Sequence, residues 1–162
     1  MIKELQKQVE QQIASIKWIQ QPTGLYEPIE YVLSLGGKRI RPVLTLLACR
    51  LFSGDEKAAM PAALAIEVFH NFTLLHDDVM DRADTRRGKA TVHKKWNDNT
   101  AILSGDAMLI KAYQMLQSVS SNQFPLLLQL FSQTAMEVCE GQQYDVDFES
   151  DDSVSLDSYI EM

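Results

Sequence analysis

An apolar run from Ala62 to Leu75 leads into His76-Asp77-Asp78-Val79-Met80-Asp81. Asp77 and Asp81 are four residues apart and Asp78 and Asp81 three, so helical pitch predicts all three carboxylates on one face. Like charges at that spacing repel, and folding alone gives no reason to collect them. A hard divalent cation, or a cation carrying a phosphate, supplies one. The cluster also falls where the helix should end, and the negative end of a helix dipole favours positive charge. The aspartates form a candidate metal site.

Two basic clusters flank it in sequence. Gly36-Gly37-Lys38-Arg39-Ile40-Arg41-Pro42 pairs two glycines, which let a backbone turn tightly, with three cations and a proline suited to open a helix. A helix N-terminus with Lys and Arg beside it suits phosphate; a solvated basic turn fits the same residues. Arg86-Arg87-Gly88-Lys89 follows the aspartates closely. Alone it reads as a solvated loop; beside the carboxylates it reads as a second set of anion donors. Together the clusters suggest two anionic groups, one bridged by metal and one held by cations alone. His70 lies seven residues before Asp77, about two turns earlier on the same face, and reads either as a satisfied core histidine or as a donor to an anion, a weaker candidate than the arginines. His76 reads as structural and His93 as a surface residue.

The elements that must place these residues are helical. Ile2, Leu5, Val9, Ile13 and Ile16 make an amphipathic stripe over residues 2–20. Further helices are predicted over 28–35, 43–52, from near Pro61 to Asp81, over 99–119 and over 125–144. Ser53 and Glu56 have capping-box spacing. Residues 82–95 read as a long connection, 146–153 as an acidic loop, and 155–162 as the first turns of a helix. No alternating strand pattern and no repeat stand out, so the fold class is all-α.

With 162 residues, 46% hydrophobic, the chain is long enough for one domain with a real core. Its net charge of -7 argues against nucleic acid as a partner, since such binding is driven by basic surface. Cys49 and Cys139 stand in no metal or redox spacing and read as two buried, reduced thiols. Met1-Ile2-Lys3-Glu4 opens no signal peptide, and the uninterrupted apolar runs are too short to span a bilayer. A soluble, cytoplasmic protein is expected.

Taken together, these residues closely resemble the trans-isoprenyl diphosphate synthases, the polyprenyl synthetase family. The resemblance rests on the Gly36 to Pro42 stretch, the His70 to Asp81 segment with its D-D-x-x-D, and Arg86-Arg87-Gly88. Thr91-Val92-His93, Gly105-Asp106 and Gly141-Gln142 also look like family positions. It implies an antiparallel helical bundle around a deep cavity, commonly a homodimer, that joins isopentenyl diphosphate to an allylic diphosphate with Mg2+. By resemblance Asp77 and Asp81 are the metal ligands, Asp78 supports them, and Arg86 contacts the allylic diphosphate. Lys38, Arg41, His70 and Arg87 would hold isopentenyl diphosphate. Phe72 and Thr73, five and four residues before Asp77, would form the floor under the growing chain; the other reading is a Phe72 packed into the core with the floor elsewhere. An aromatic roughly 7 Å below the metal favours short C15 to C20 products.

The family also carries a second aspartate-rich motif on a later helix, which this sequence does not show. Residues 1–162 are therefore expected to be the N-terminal part of a single synthase domain. Alone they are expected to have little or no synthase activity and to self-associate through uncovered apolar faces. Two other readings stand beside it. One is a non-catalytic half that binds diphosphate or a synthase partner. The other is an all-α metal-dependent phosphohydrolase using His70, His76, Asp77 and Asp106.

Overall fold

The structure is a computed structural model that describes residues 1–119, 122–151 and 153–162. Its elements run α1 (Ile2–Ser15), α2 (Thr23–Ser34), α3 (Ile40–Leu51), α4 (Glu56–Met80), β1 (Thr85–Arg86), β2 (Lys89–Ala90), α5 (Val92–Lys95), α6 (Asp98–Gln117), α7 (Phe124–Phe148) and α8 (Leu156–Glu161). They form two compact units, residues 1–120 and 121–162. The fold is all-α apart from the small hairpin β1–β2, as the apolar periodicity predicts.

In the first unit α4 is the central helix, packed against α6 and α3, with α1, α2 and α5 also on it. Asp55 starts α4 by accepting a hydrogen bond from the Lys57 amide at 2.9 Å. The predicted Ser53–Glu56 capping box does not form, and Pro61 lies inside the helix rather than at its start. Ala63 and Ala65 are fully buried and let neighbouring helices approach, while Val68, Phe69, Phe72 and Leu75 fill the core. Gly105 on α6 sits directly against the His76 ring, where a β-carbon would collide with the imidazole. Ser104 ties α6 to α2 by donating to the Leu25 carbonyl at 2.9 Å.

By length and mean hydropathy (1.3) α4 is long and apolar enough to cross a bilayer, but half of that window is buried inside the protein, as in a core helix. α1 stops at Ser15 rather than residue 20, because Trp18 folds back and its indole N–H donates to the Ile13 carbonyl at 3.0 Å. The 82–95 connection is a hairpin and a short helix. Arg86 pairs with Lys89 across a two-residue turn, and Arg87 and Gly88 take φ of 53° and 73°, the type I′ pattern.

In the second unit α7 runs to Phe148, so Asp145 and Asp147 are helical rather than part of a loop; Gln143 donates to Asp147, one helical turn away, at 2.8 Å. Asp151 follows the helix, and Asp152 lies outside the described residues. Both cysteines are free, but Cys49 is only half-buried and Cys139 is exposed, which corrects the expectation of two buried thiols.

Candidate functional site

The last turns of α4 separate the three aspartates. Asp81 is exposed, Asp77 is half-exposed, and Asp78 is 5% exposed. The expectation of one shared face holds for Asp77 and Asp81. It fails for Asp78, because about 100° per residue carries it round to the side of Asn71 and Leu75, which is buried. There Arg86 meets it, with Nε donating to both carboxylate oxygens at 2.8 and 2.9 Å. The Arg86 Nη2 stands 3.9 Å from Asp77 Oδ2. Burial pushes the Asp78 carboxyl above its ordinary pKa, and the Arg86 contact opposes that rise.

Arg86 is placed by the hairpin, and the hairpin by Thr91. The buried Thr91 hydroxyl donates to the Ala83 carbonyl at 2.7 Å, and its amide to the Asp84 carbonyl at 3.1 Å. Arg87, at the first turn position with a left-handed backbone, reaches the other way and donates to the Gly36 carbonyl. Its guanidinium lies 3.2 Å from where a Gly37 β-carbon would stand, so that glycine is required by close approach as well as by its φ of 155°. Consecutive arginines of one hairpin thus join the aspartates to the glycine turn.

Lys38 and Arg41 are exposed on that turn and at the start of α3. Arg41 Nη1 lies 3.3 Å from His70 Nε2. Burial, then Arg41, with smaller contributions from Arg87 and Arg86, hold the His70 pKa below its ordinary value. Burial and the neighbouring Arg39 likewise depress Arg87. The structure therefore brings His70, Arg41, Arg87 and Arg86 into one positive field beside the two outer aspartates. Thr73 donates to the His70 carbonyl at 2.8 Å. Phe72 is buried against Phe69 and His76, with ring centroids 5.6 and 4.8 Å apart. Helical geometry puts Thr73 about 40° and Phe72 about 140° round α4 from Asp77.

Two residues stand differently from their sequence reading, and His76 keeps its own. His93 has both ring nitrogens buried without a hydrogen-bond partner, so it is not a surface residue. Arg39, counted among the basic cluster, is 2% exposed and turned inward. His76 does read as structural: its Nε2 meets the Ile102 carbonyl at 3.1 Å and stands 3.8 Å from Asp106. His70 faces Arg41 instead, so the rival His70, His76, Asp77 and Asp106 ligand set does not converge. Sequence reasoning missed Glu67 and Asn71, both buried on α4. The available signal was a charged residue set inside an otherwise apolar run.

Among the described residues no three His, Cys, Asp or Glu side chains group as a closed metal cage. Asp77 and Asp81 offer hard oxygen donors open to solvent, a set suited to a cation completed by water and phosphate oxygens rather than by protein.

Comparison with known proteins places this geometry. The Polyprenyl synthetase family model matches residues 22–162. The chain is 40% identical to a geranylgeranyl diphosphate synthase of Methanosarcina mazei, over 99% of this chain and 50% of that protein. It is 42% identical to a geranylgeranyl pyrophosphate synthase of Geoglobus acetivorans, over 100% of this chain and 51% of that one. A crystal structure of a geranylgeranyl pyrophosphate synthase superposes with a TM-score of 0.96 at 53% identity, covering 99% of this chain and 49% of that chain. The chain spans about half the length of the curated relatives it matches. Motif, fold and relatives agree: the chain belongs to the polyprenyl synthetase family.

Proposed function

We propose that the chain supplies the diphosphate-binding face of a prenyltransferase that condenses isopentenyl diphosphate with an allylic diphosphate to give a short-chain trans-prenyl diphosphate. Both units are read as parts of one synthase domain, supported by a family match that runs through both. The observation that carries the reading is the hairpin, which sets Arg86 on the aspartates and Arg87 on the glycine turn. One rigid turn spans a carboxylate cluster and a cation cluster, as two diphosphates side by side require.

Asp77 and Asp81 would hold Mg2+ for the allylic diphosphate, and Arg86, oriented by Asp78, contacts that diphosphate. Lys38, Arg41, His70 and Arg87 hold isopentenyl diphosphate with cations alone. When bound there, Mg2+ would supply positive charge to the departing diphosphate. Arg86 does the same from the protein side, in a position fixed before reaction. The allylic C–O bond breaks with its electron pair leaving on oxygen. The isopentenyl double bond supplies the electrons for the new C–C bond, and a proton then passes to the released diphosphate. Thr73 and Phe72 limit the growing chain from the α4 side. Phe72 acts from behind Thr73, and the product is C15 to C20. The acidic, mostly helical surface is read as belonging to a cytoplasmic protein.

Calorimetric titration of the chain tests this. Isopentenyl diphosphate binds without divalent metal, whereas dimethylallyl S-thiolodiphosphate, which resists ionisation, binds only with Mg2+. Equal metal dependence for both ligands, or binding of neither, contradicts the reading.

A further inference from the structure

The glycine turn does not hold itself. Gly36, Gly37 and Arg39 all have positive φ, of 73°, 155° and 47°. Two glycines leave such a backbone free, and an arginine in the left-handed region is strained. Arg87 holds the outer side of the turn at the Gly36 carbonyl, and its inner side is fixed by the Arg39 side chain, which points into the protein with 0% exposure. Nη1 donates to Glu67 of α4 at 2.7 Å, Nε to Glu10 of α1 at 2.7 Å, and Nη2 to the Leu33 carbonyl at the end of α2 at 2.8 Å. Asn71 donates to the same Glu67 oxygen at 3.0 Å. Burial opposes the Arg39 charge, but the hydrogen bonds and charges of Glu10 and Glu67 outweigh it. From α1, Gln6 adds a hydrogen bond to the Lys38 carbonyl at 3.3 Å. Lys38 precedes Arg39 directly, and Arg41 follows it by two residues at the start of α3.

We propose that Arg39 is a positioning residue for the metal-free diphosphate site: with Glu67 and Glu10 it clamps the glycine turn so that Lys38 and Arg41 converge on one anion. α1, which lies ahead of the family match at residues 22–162, is then part of the site's support through Gln6 and Glu10. The proposal rests on the diphosphate-binding reading above.

The test titrates the chain with inorganic pyrophosphate, with and without Mg2+, and follows amide exchange over residues 36–41. Variants are Arg39→Met, Arg39→Lys and Glu10→Gln. Glu10 is 40% exposed, so Glu10→Gln spares the buried Arg39–Glu67 pair and is the variant expected to fold. Arg39→Met lowers metal-free affinity about tenfold or more, the scale of one charge-assisted hydrogen bond to the anion being lost. Arg39→Lys restores part of it, and Glu10→Gln gives a smaller loss. Mg2+-dependent binding is unchanged in each, and exchange rises at residues 36–41. If Arg39→Met does not fold, the other two decide. Folded variants with unchanged metal-free affinity, or with equal losses in both modes, overturn the inference. Failure of the unsubstituted chain to bind pyrophosphate in either condition overturns the proposed function and this inference together.

Discussion

Arg41 faces His70 with a guanidinium that can only donate, so His70 Nε2 must be the acceptor and the ring neutral, with its proton on Nδ1. The folded protein thus favours the uncharged imidazole, in agreement with its lowered pKa. The sign follows: this contribution to stability is present above the ordinary value near about pH 6.5 and is lost as pH falls through it toward the lower folded value. A bound anion reverses the preference, because negative charge favours imidazolium. Metal-free pyrophosphate binding should therefore take up more protons in the unsubstituted chain than in His70→Gln, read from how each binding enthalpy changes with the ionisation enthalpy of the buffer. The difference between the two chains separates His70 from the protons that pyrophosphate itself exchanges, and equal slopes would contradict the role given to His70. Phe72 offers a second residue-scale test. It is 8% exposed, so Phe72→Ala should cost about 3–5 kcal/mol in denaturant unfolding, a core-aromatic loss. In the assembled synthase it should lengthen the product, read by chromatography of the dephosphorylated alcohols. Unchanged product length would remove Phe72 from the floor and leave Thr73.

At the scale of elements, the hairpin decides how the site is built. Arg87 takes a turn position at φ 53° that Asn, Asp or Gly fills more readily. Arg87→Asn suits the turn but loses the hydrogen bond to the Gly36 carbonyl, so stability should fall by no more than about 1 kcal/mol in thermal unfolding, while metal-free pyrophosphate affinity falls about tenfold, the scale of one charge-assisted hydrogen bond. Equal affinity would mean that Arg87 is there for the turn and not for the ligand. The hairpin was also the element least legible from sequence, since two-residue strands carry no alternation to read. The helices were legible because Leu5, Val9 and Ile13 on α1, and Val68 and Leu75 on α4, recur at helical spacing. Their ends were not. Trp18 terminates α1 through a contact five residues back, and Asp55 rather than Pro61 starts α4. The three aspartates and the basic clusters were found from spacing alone. Their division into exposed Asp77 and Asp81 and buried Asp78 depends on which side of α4 the hairpin covers, and Arg39 depends on Glu10 and Glu67, partners 29 and 28 residues away.

At the scale of the whole molecule, Ile40, Leu44 and Leu51 fall within about 40° of one another on α3 and are 54%, 57% and 78% exposed. An uncovered apolar stripe favours association. Sedimentation velocity should show a dimer or larger species that Leu44→Glu weakens; a monomer at every concentration would contradict it. Net charge of -7 sets the other whole-molecule constraint: an anionic substrate must be drawn by local cations and metal against the general field. The account therefore requires two diphosphate sites of different kind within a few side chains of each other. The most direct test is calorimetric titration of the Asp77→Ala, Asp81→Ala double variant with inorganic pyrophosphate, with and without Mg2+. The account predicts that the Mg2+-dependent event disappears while metal-free binding at the glycine turn persists. Retention of the Mg2+-dependent event, or loss of both together in a folded variant, would contradict it.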